Sequence, residues 1–351
     1  MTAVLTVAAA SQLLRGGGPS GPTDEDRTGA PVERNIQISG AGRRPIAGTL
    51  RVPEQTGQAQ VPGVLIISGF GPTNRNGIVR PGGQTDPLYR DLSDVLADAG
   101  MASLRYDKRG TGQSALPAGE TLALADMAAD ARSGIDFLAA RREIDAGALS
   151  VIGHGEGALL AMRVAASDPR VRSLVLISSP GRPLVEVIAD DFRTTHGELS
   201  AERLRGIVHG MMATGTLPAP ESLPREYQEF FPRDQIPYLR EIFSIDPPSY
   251  ARELDVPVLI VRGGRATFST AVDVGPLVEA LDAKAEVLVA PEAGATLARA
   301  PAAHGGGGIV HGGHEVGDDN DNGTRTTSRD RDRVALGRIS SWLAARLTAE
   351  H

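Results

Sequence analysis

Six short apolar runs, separated by stretches of helical periodicity, constrain this chain more than any other feature. Val61 to Ile67 (VPGVLII) is nearly all apolar, Ala102 to Tyr106 and Leu149 to Ile152 are shorter, and Val171 to Ile177, residues 256–262 (VPVLIVR) and residues 286–290 (EVLVA) repeat the type. A strand with apolar side chains on both faces needs cover on both, as in a parallel sheet flanked by helices. The segments between supply those helices. Leu88, Leu92, Val95 and Leu96 stand at helical spacing ahead of a stop at Gly100, and Leu122 to Ala140 is amphipathic. Ala158 to Ala166 is a small-residue helix, and Val334 to Leu347 closes the chain with an amphipathic one. The alternation predicts an α/β fold built on a doubly wound, mostly parallel sheet. Before it, Asn35 to Ser39 and Ala47 to Val52 alternate polar and apolar residues around Gly40 to Arg44, which predicts a strand pair at a sheet edge.

Three stretches depart from the rhythm. Residues 1–33 are rich in Gly, Pro, Thr and charge and are expected to form a flexible tail. Residues 182–250 are longer than a strand-to-helix connection needs and carry helical pieces with several prolines, so a cap inserted between the core halves 34–181 and 251–351 is expected. Residues 301–332 are rich in Gly, His, Asp and Asn without an apolar pattern, and are expected to be a disordered loop.

Composition narrows the class. The net charge of −7 offers no basic footprint, so no nucleic-acid partner is expected, and no apolar run reaches the roughly eighteen residues of a membrane span. The absence of cysteine excludes disulfides, thiolate nucleophiles and Cys-based metal sites. The opening MTAVLTVAAASQLL is apolar but lacks a basic stretch before it, which favours a cytoplasmic location while leaving export open.

The sharpest motif is Gly153-His154-Gly155-Glu156-Gly157, placed between a strand ending at Ile152 and a helix starting near Ala158. A Gly-x-Ser-x-Gly elbow presents a nucleophile on such a tight strand-to-helix turn. A Gly-x-Gly-x-Gly string also suggests dinucleotide binding, but the acidic residue that closes that fingerprint is missing and the string lies in mid-chain, so no cofactor is expected.

With three further segments the chain resembles the α/β-hydrolase superfamily, in particular its esterase and serine-aminopeptidase-like branch. Ile67 to Gly77 is similar to the oxyanion loop after the third strand, with Ser68 where His-Gly is common. Arg105-Tyr106-Asp107-Lys108-Arg109-Gly110-Thr111-Gly112-Gln113-Ser114 is similar to a D-x-R-G-x-G-x-S loop, and Val256 to Thr267 is similar to the strand and turn that present a catalytic acid. The resemblance implies a nucleophile at Gly155, an acid at Ala266 and a histidine at Ala295, and none of the three side chains can serve. It also implies an oxyanion pocket from the backbone N–H groups of Glu156 and of Gly69 or Phe70.

Those departures predict a non-hydrolytic descendant, a pseudoenzyme that binds a small acyl- or carbonyl-containing ligand. Two alternatives stay open: an active carboxylesterase or serine-aminopeptidase-like hydrolase with a relocated nucleophile, and a structural or partner-binding module. His154 is a candidate acid or base, against a plain packing role, and Glu156 a candidate helix brace. His304, His311, His314 and Glu315 have the composition of a metal cluster, but their Gly-rich setting gives no preorganised ligands, and no metal is expected. Asp107 and Arg109 are expected to fix their own loop. Tyr227, Phe230, Phe231, Tyr238 and Phe243 either line a ligand pocket or pack the cap.

Overall fold

The computed structural model describes residues 31–54, 59–78, 86–231, 235–299 and 331–348. Among the described residues eight strands form one sheet in the order β1-β2-β4-β3-β5-β6-β7-β8. They are β1 (Val32–Ser39), β2 (Pro45–Val52), β3 (Val61–Ile67), β4 (Ala102–Tyr106), β5 (Ile144–His154), β6 (Val171–Ile177), β7 (Val258–Gly263) and β8 (Ala285–Ala290). β2 runs antiparallel to both neighbours, and from β4 to β8 every pair is parallel. The edge pair read from the alternating segments is therefore β1–β2. Its first strand starts at Val32, two residues inside the stretch expected to be a tail. Residues 1–30 lie outside the described residues.

Except in the edge strand β8, where Val287 and Val289 are exposed, the apolar strands are buried on both faces because two cores flank the sheet. In β3, Val64 and Ile66 join one cluster while Leu65 and Ile67 join the other, the two-residue period of a pleated strand expressed on both sides. Helices α1 (Leu88–Asp98) and α10 (Arg333–Leu347) cover the first cluster, whereas α2 (Leu124–Ala139), α3 (Glu156–Ser167) and α9 (Ala271–Leu281) cover the second. The stop read at Gly100 is a left-handed residue, φ 78°, that glycine adopts without strain.

Between β6 and β7 the chain runs through α4 (Leu184–His196), α5 (Glu198–Thr214), α6 (Arg225–Phe230), α7 (Ile236–Phe243) and α8 (Pro247–Arg252). Arg182 fastens the base of this segment, donating to Asp273 at the start of α9 (2.8 Å) and to Asp190 on α4 (2.6 Å). The aromatic residues turn mostly inward: Tyr227, Phe231 and Phe243 are buried among the segment's own helices, and Tyr227 donates to the carbonyl of Ser200. Their packing role accounts for them; the side chain of Phe230 lies outside the described residues. Of the expected loop over 301–332, residues 301–330, with His304, His311, His314 and Glu315, also lie outside them. Its last two residues are well seated: Arg331 is buried, and Asp332 caps α10 by accepting from the N–H of Ala335.

Candidate functional site

In a parallel sheet all strands end on the same edge, so β3, β5, β6, β7 and β8 deliver their following loops to one place. β5 runs straight into α3 through Gly155, whose φ of 54° and ψ of −114° only glycine adopts at low cost. The flanking glycines are required by close approach. A Cβ on Gly153 would lie 2.3 Å from the Gly157 carbonyl oxygen, and one on Gly157 would lie 2.4 Å from that of Ile67. The elbow read from the sequence is thus built as a sharp strand-to-helix turn, with the N–H of Glu156 at the helix N-terminus. The ring of Phe70 lies over it, 3.0 Å from where a Cβ on residue 155 would stand, and packs edge-on to Phe268 with centroids 5.6 Å apart. Phe70 therefore fills the space into which a side chain at 155 would project.

Gly155, Ala266 and Ala295 sit in the loops after β5, β7 and β8. The last two loops are joined, Arg265 N–H donating to the Ala293 carbonyl at 3.0 Å. β6 contributes a residue the sequence reading missed. Ser178 follows Ile177, whose carbonyl accepts from Gly155 N–H, and its own backbone is left-handed at φ 46°. Its buried hydroxyl donates to the Ala295 carbonyl at 2.6 Å. No sequence motif marks Ser178; its position beside the elbow comes from strand pairing. Ser269, in the loop after β7, is also left-handed at φ 63°, and its hydroxyl is buried without a hydrogen-bond partner among the described residues.

His154 lies one residue before the turn. Its Nδ1 is 2.9 Å from the Tyr89 hydroxyl, and it is also hydrogen-bonded to the backbone of Ala295. The ring keeps some accessible surface, but the protein crowded around it makes the charged form costly and draws its pKa down to about 4. It is a neutral imidazole at physiological pH. Burial pushes the Tyr89 hydroxyl above its ordinary value, so it too stays neutral. Tyr89 also accepts from Gly69 N–H at 2.8 Å, which engages one of the N–H groups expected to line the oxyanion pocket. The other N–H groups expected there belong to Glu156 and Phe70.

The carboxylate of Glu156 points away from the turn into a buried charge cluster. Lys108 Nζ donates to Glu156 Oε2 and to the Gly69 carbonyl, both at 2.5 Å, and the Tyr238 hydroxyl donates to Glu156 Oε1. Glu156 thus braces more than its own helix, and Lys108 and Tyr238 are partners that sequence spacing did not reveal. The Asp107–Ser114 loop is fixed as expected at Asp107, whose carboxylate accepts from the N–H groups of Arg75 and Gln113 (2.8 Å each) and from the Arg75 guanidinium. Arg109 differs. Rather than bonding its own loop, it forms a two-pronged pair with Asp130 on α2 at 2.8 and 2.9 Å. Among the described residues no group of three or more His, Asp or Glu side chains is arranged to hold a metal, and no helix is long and apolar enough to cross a membrane.

Comparison with known proteins places this geometry. Residues 82–214, which include the elbow and the Asp107 loop, match the family model of serine aminopeptidases, S33. The chain is 26% identical over 236 residues to esterase EstD of Thermotoga maritima, an alignment covering 66% of this chain and 52% of that one, so it spans about half the length of that relative. Among solved structures, a hypothetical protein of Pseudomonas aeruginosa superposes with a TM-score of 0.59 at 16% identity, covering 90% of this chain and 94% of the other. The esterase domain of a Rhodothermus marinus protein superposes with a TM-score of 0.52 at 15% identity, covering 90% and 99%. The structural likenesses show the fold; the sequence matches correct the expectation of a non-hydrolytic pseudoenzyme. The esterase relative and the family match across the elbow favour an active hydrolase. The expectation rested on Gly155, Ala266 and Ala295 alone, whereas the same loop cluster also holds Ser178 and His154.

Proposed function

Because the chain belongs to the α/β-hydrolase superfamily, in its esterase and serine-aminopeptidase-like branch, we propose that it is a working hydrolase of ester-type acyl substrates whose attacking oxygen comes from Ser178 instead of residue 155. The observation that carries this reading is the placement of Ser178. A buried serine held at φ 46° stores roughly 1–3 kcal/mol of backbone strain, and such strain gathers where function over-determines the structure. Its hydroxyl and His154 meet on the backbone of one residue, Ala295.

The chemistry follows from those groups. A serine hydroxyl needs a base to take its proton, and a neutral imidazole is the fitting acceptor. His154 and Ser178 both rest on the Ala295 backbone; for the step, both leave that carbonyl, the His154 proton passes to Nδ1 on the Tyr89 side, and Nε2 receives the Ser178 proton. Oγ then bonds to the acyl carbon, and the carbonyl oxygen takes up the negative charge. The N–H groups of Glu156 and Phe70 stabilise that oxyanion. Collapse of the adduct expels the alcohol, which takes the proton from His154. Water repeats the sequence on the acyl-enzyme and releases the acid.

The test is turnover of a panel of p-nitrophenyl esters by the unmodified chain and by Ser178→Ala and Ser269→Ala. Ester turnover that falls by about two orders of magnitude or more in Ser178→Ala alone supports the reading, since loss of a nucleophile removes the covalent route. Unchanged turnover in Ser178→Ala, or loss in Ser269→Ala instead, overturns the assignment. No turnover of any ester by the unmodified chain contradicts the hydrolase.

A further inference from the structure

Helix α7 meets the core through a polar face. Gln235, Tyr238 and Glu241 are spaced three apart, so they lie on one side of the helix. Gln235 accepts from Leu122 N–H at 2.9 Å and Glu241 from Leu124 N–H at 2.6 Å, both at the start of α2. Tyr238 alone reaches the elbow, where its hydroxyl donates to Glu156 Oε1. Leu239, Ile242 and Phe243, on the adjoining side of α7, are buried in the apolar cluster that joins the other helices of the 184–252 segment to α2, α3 and the sheet. The segment is therefore fastened to the core by apolar packing as well as by hydrogen bonds, and Tyr238 is the polar group of α7 that ties it to the elbow.

The Glu156 carboxylate is the point where this contact meets the oxyanion loop. One oxygen takes the Tyr238 hydroxyl; the other takes Lys108, whose ammonium also grips the Gly69 carbonyl. Glu156 and Lys108 are almost wholly buried, so neither charge has water as a substitute partner. The backbone of Glu156 carries one expected oxyanion donor, and Phe70, next to Gly69, carries the other. A displacement of the carboxylate is passed to both.

We infer that Tyr238 is a positioning residue that clasps the 184–252 segment to the elbow and makes the spacing of the two oxyanion donors depend on that segment being seated. Any motion that lifts α7 breaks this bond. Release of Tyr238 leaves one carboxylate oxygen of Glu156 unpaired and loosens the Lys108 grip on the Gly69–Phe70 backbone. Return of α7 restores both, so the pocket is at full strength only when closed. The catalytic part of this inference rests on the hydrolase reading above; the mechanical coupling does not.

Hydrogen exchange of the full chain separates the two. Tyr238→Phe, which keeps the ring and removes only the hydroxyl, is compared with Glu241→Ala, which removes an α7 bond that does not reach the elbow. The expected result for Tyr238→Phe is exchange about tenfold faster in residues 236–243 and also in residues 69–70 and 156–157, the effect of losing one buried hydrogen bond. Glu241→Ala is expected to speed exchange in 236–243 and 122–124 and leave 69–70 and 156–157 unchanged. Unchanged exchange at 69–70 and 156–157 in Tyr238→Phe overturns the coupling, whatever the enzyme's activity. On an ester that the unmodified chain turns over, Tyr238→Phe is expected to lower kcat about tenfold with KM changed less than threefold. A rise in KM with kcat unchanged would assign Tyr238 to substrate binding and overturn its positioning role. Absence of turnover in the unmodified chain would count against the hydrolase reading and leave the exchange result to decide the coupling.

Discussion

Glycine at position 155 and serine at 178 carry opposite backbone economics within one hydrogen bond of each other. Gly155 adopts φ 54° freely, whereas Ser178 holds φ 46° against its own preference. Gly155→Ser should therefore fold but unfold more readily, by about 1–3 kcal/mol in denaturant titration, because the new side chain is strained and must also move the Phe70 ring. Gly153→Ala should lose the elbow altogether, since its methyl group would overlap backbone atoms that have nowhere to go. His154 gives a pH signature. Its pKa falls from an ordinary 6.5 to about 4 on folding, so between those values the unfolded chain binds more protons than the folded one. This contribution to stability is present in full above about pH 6.5 and is lost as pH falls toward 4. Its size is at most about 2–3 kcal/mol, discounted because the ring stays partly accessible. His154→Gln should flatten the stability profile in that window, as followed by denaturation midpoints from pH 4 to 7.

At the scale of elements, the loops owe their form to a few buried polar residues. Asp107→Ala would strand the Arg75 guanidinium and the N–H groups of Arg75 and Gln113, and should lower stability by about 3–5 kcal/mol while loosening residues 68–78. Proteolysis kinetics of that loop would report it, and an unchanged cleavage rate would refute the role. The elements themselves were legible in the sequence where periodicity was strong. β3, β6, β7 and β8 appear where apolar runs stood, and α1 ends where Gly100 predicted. The elbow was legible because backbone crowding leaves glycine as the only residue that fits at 153 and 157. Arg109 was misread, because nothing near it in sequence announces Asp130 one helix later. Tyr238 was seen only as one aromatic among five. Its bond to Glu156 joins residues that only the folded segment brings together.

Across the whole molecule, the site depends on distant stretches of chain being tied to the same sheet edge. Arg331, wholly buried, pairs with Asp86 (2.5 Å) and Asp91 (3.1 Å) at the start of α1 and donates to the Thr296 carbonyl. It thereby fixes the loop whose Ala295 carbonyl receives Ser178. Arg331→Met should cost about 3–5 kcal/mol by leaving the Asp91 carboxylate buried without its cation, read as a lower thermal midpoint. None of this was legible in the sequence, where Arg331 lay inside a stretch expected to be disordered. Ser178 escaped notice for a related reason. Its side chain is ordinary; only its φ, its burial and the neighbouring loop single it out.

The most direct measurement is the site of covalent labelling by a fluorophosphonate, which phosphonylates an activated serine and can be mapped by mass spectrometry of the digested chain. The account predicts label on the peptide that contains Ser178, lost in Ser178→Ala and slowed as pH falls toward 4 and His154 takes up a proton. Label on any other serine, or none on a chain that turns over esters, would contradict it.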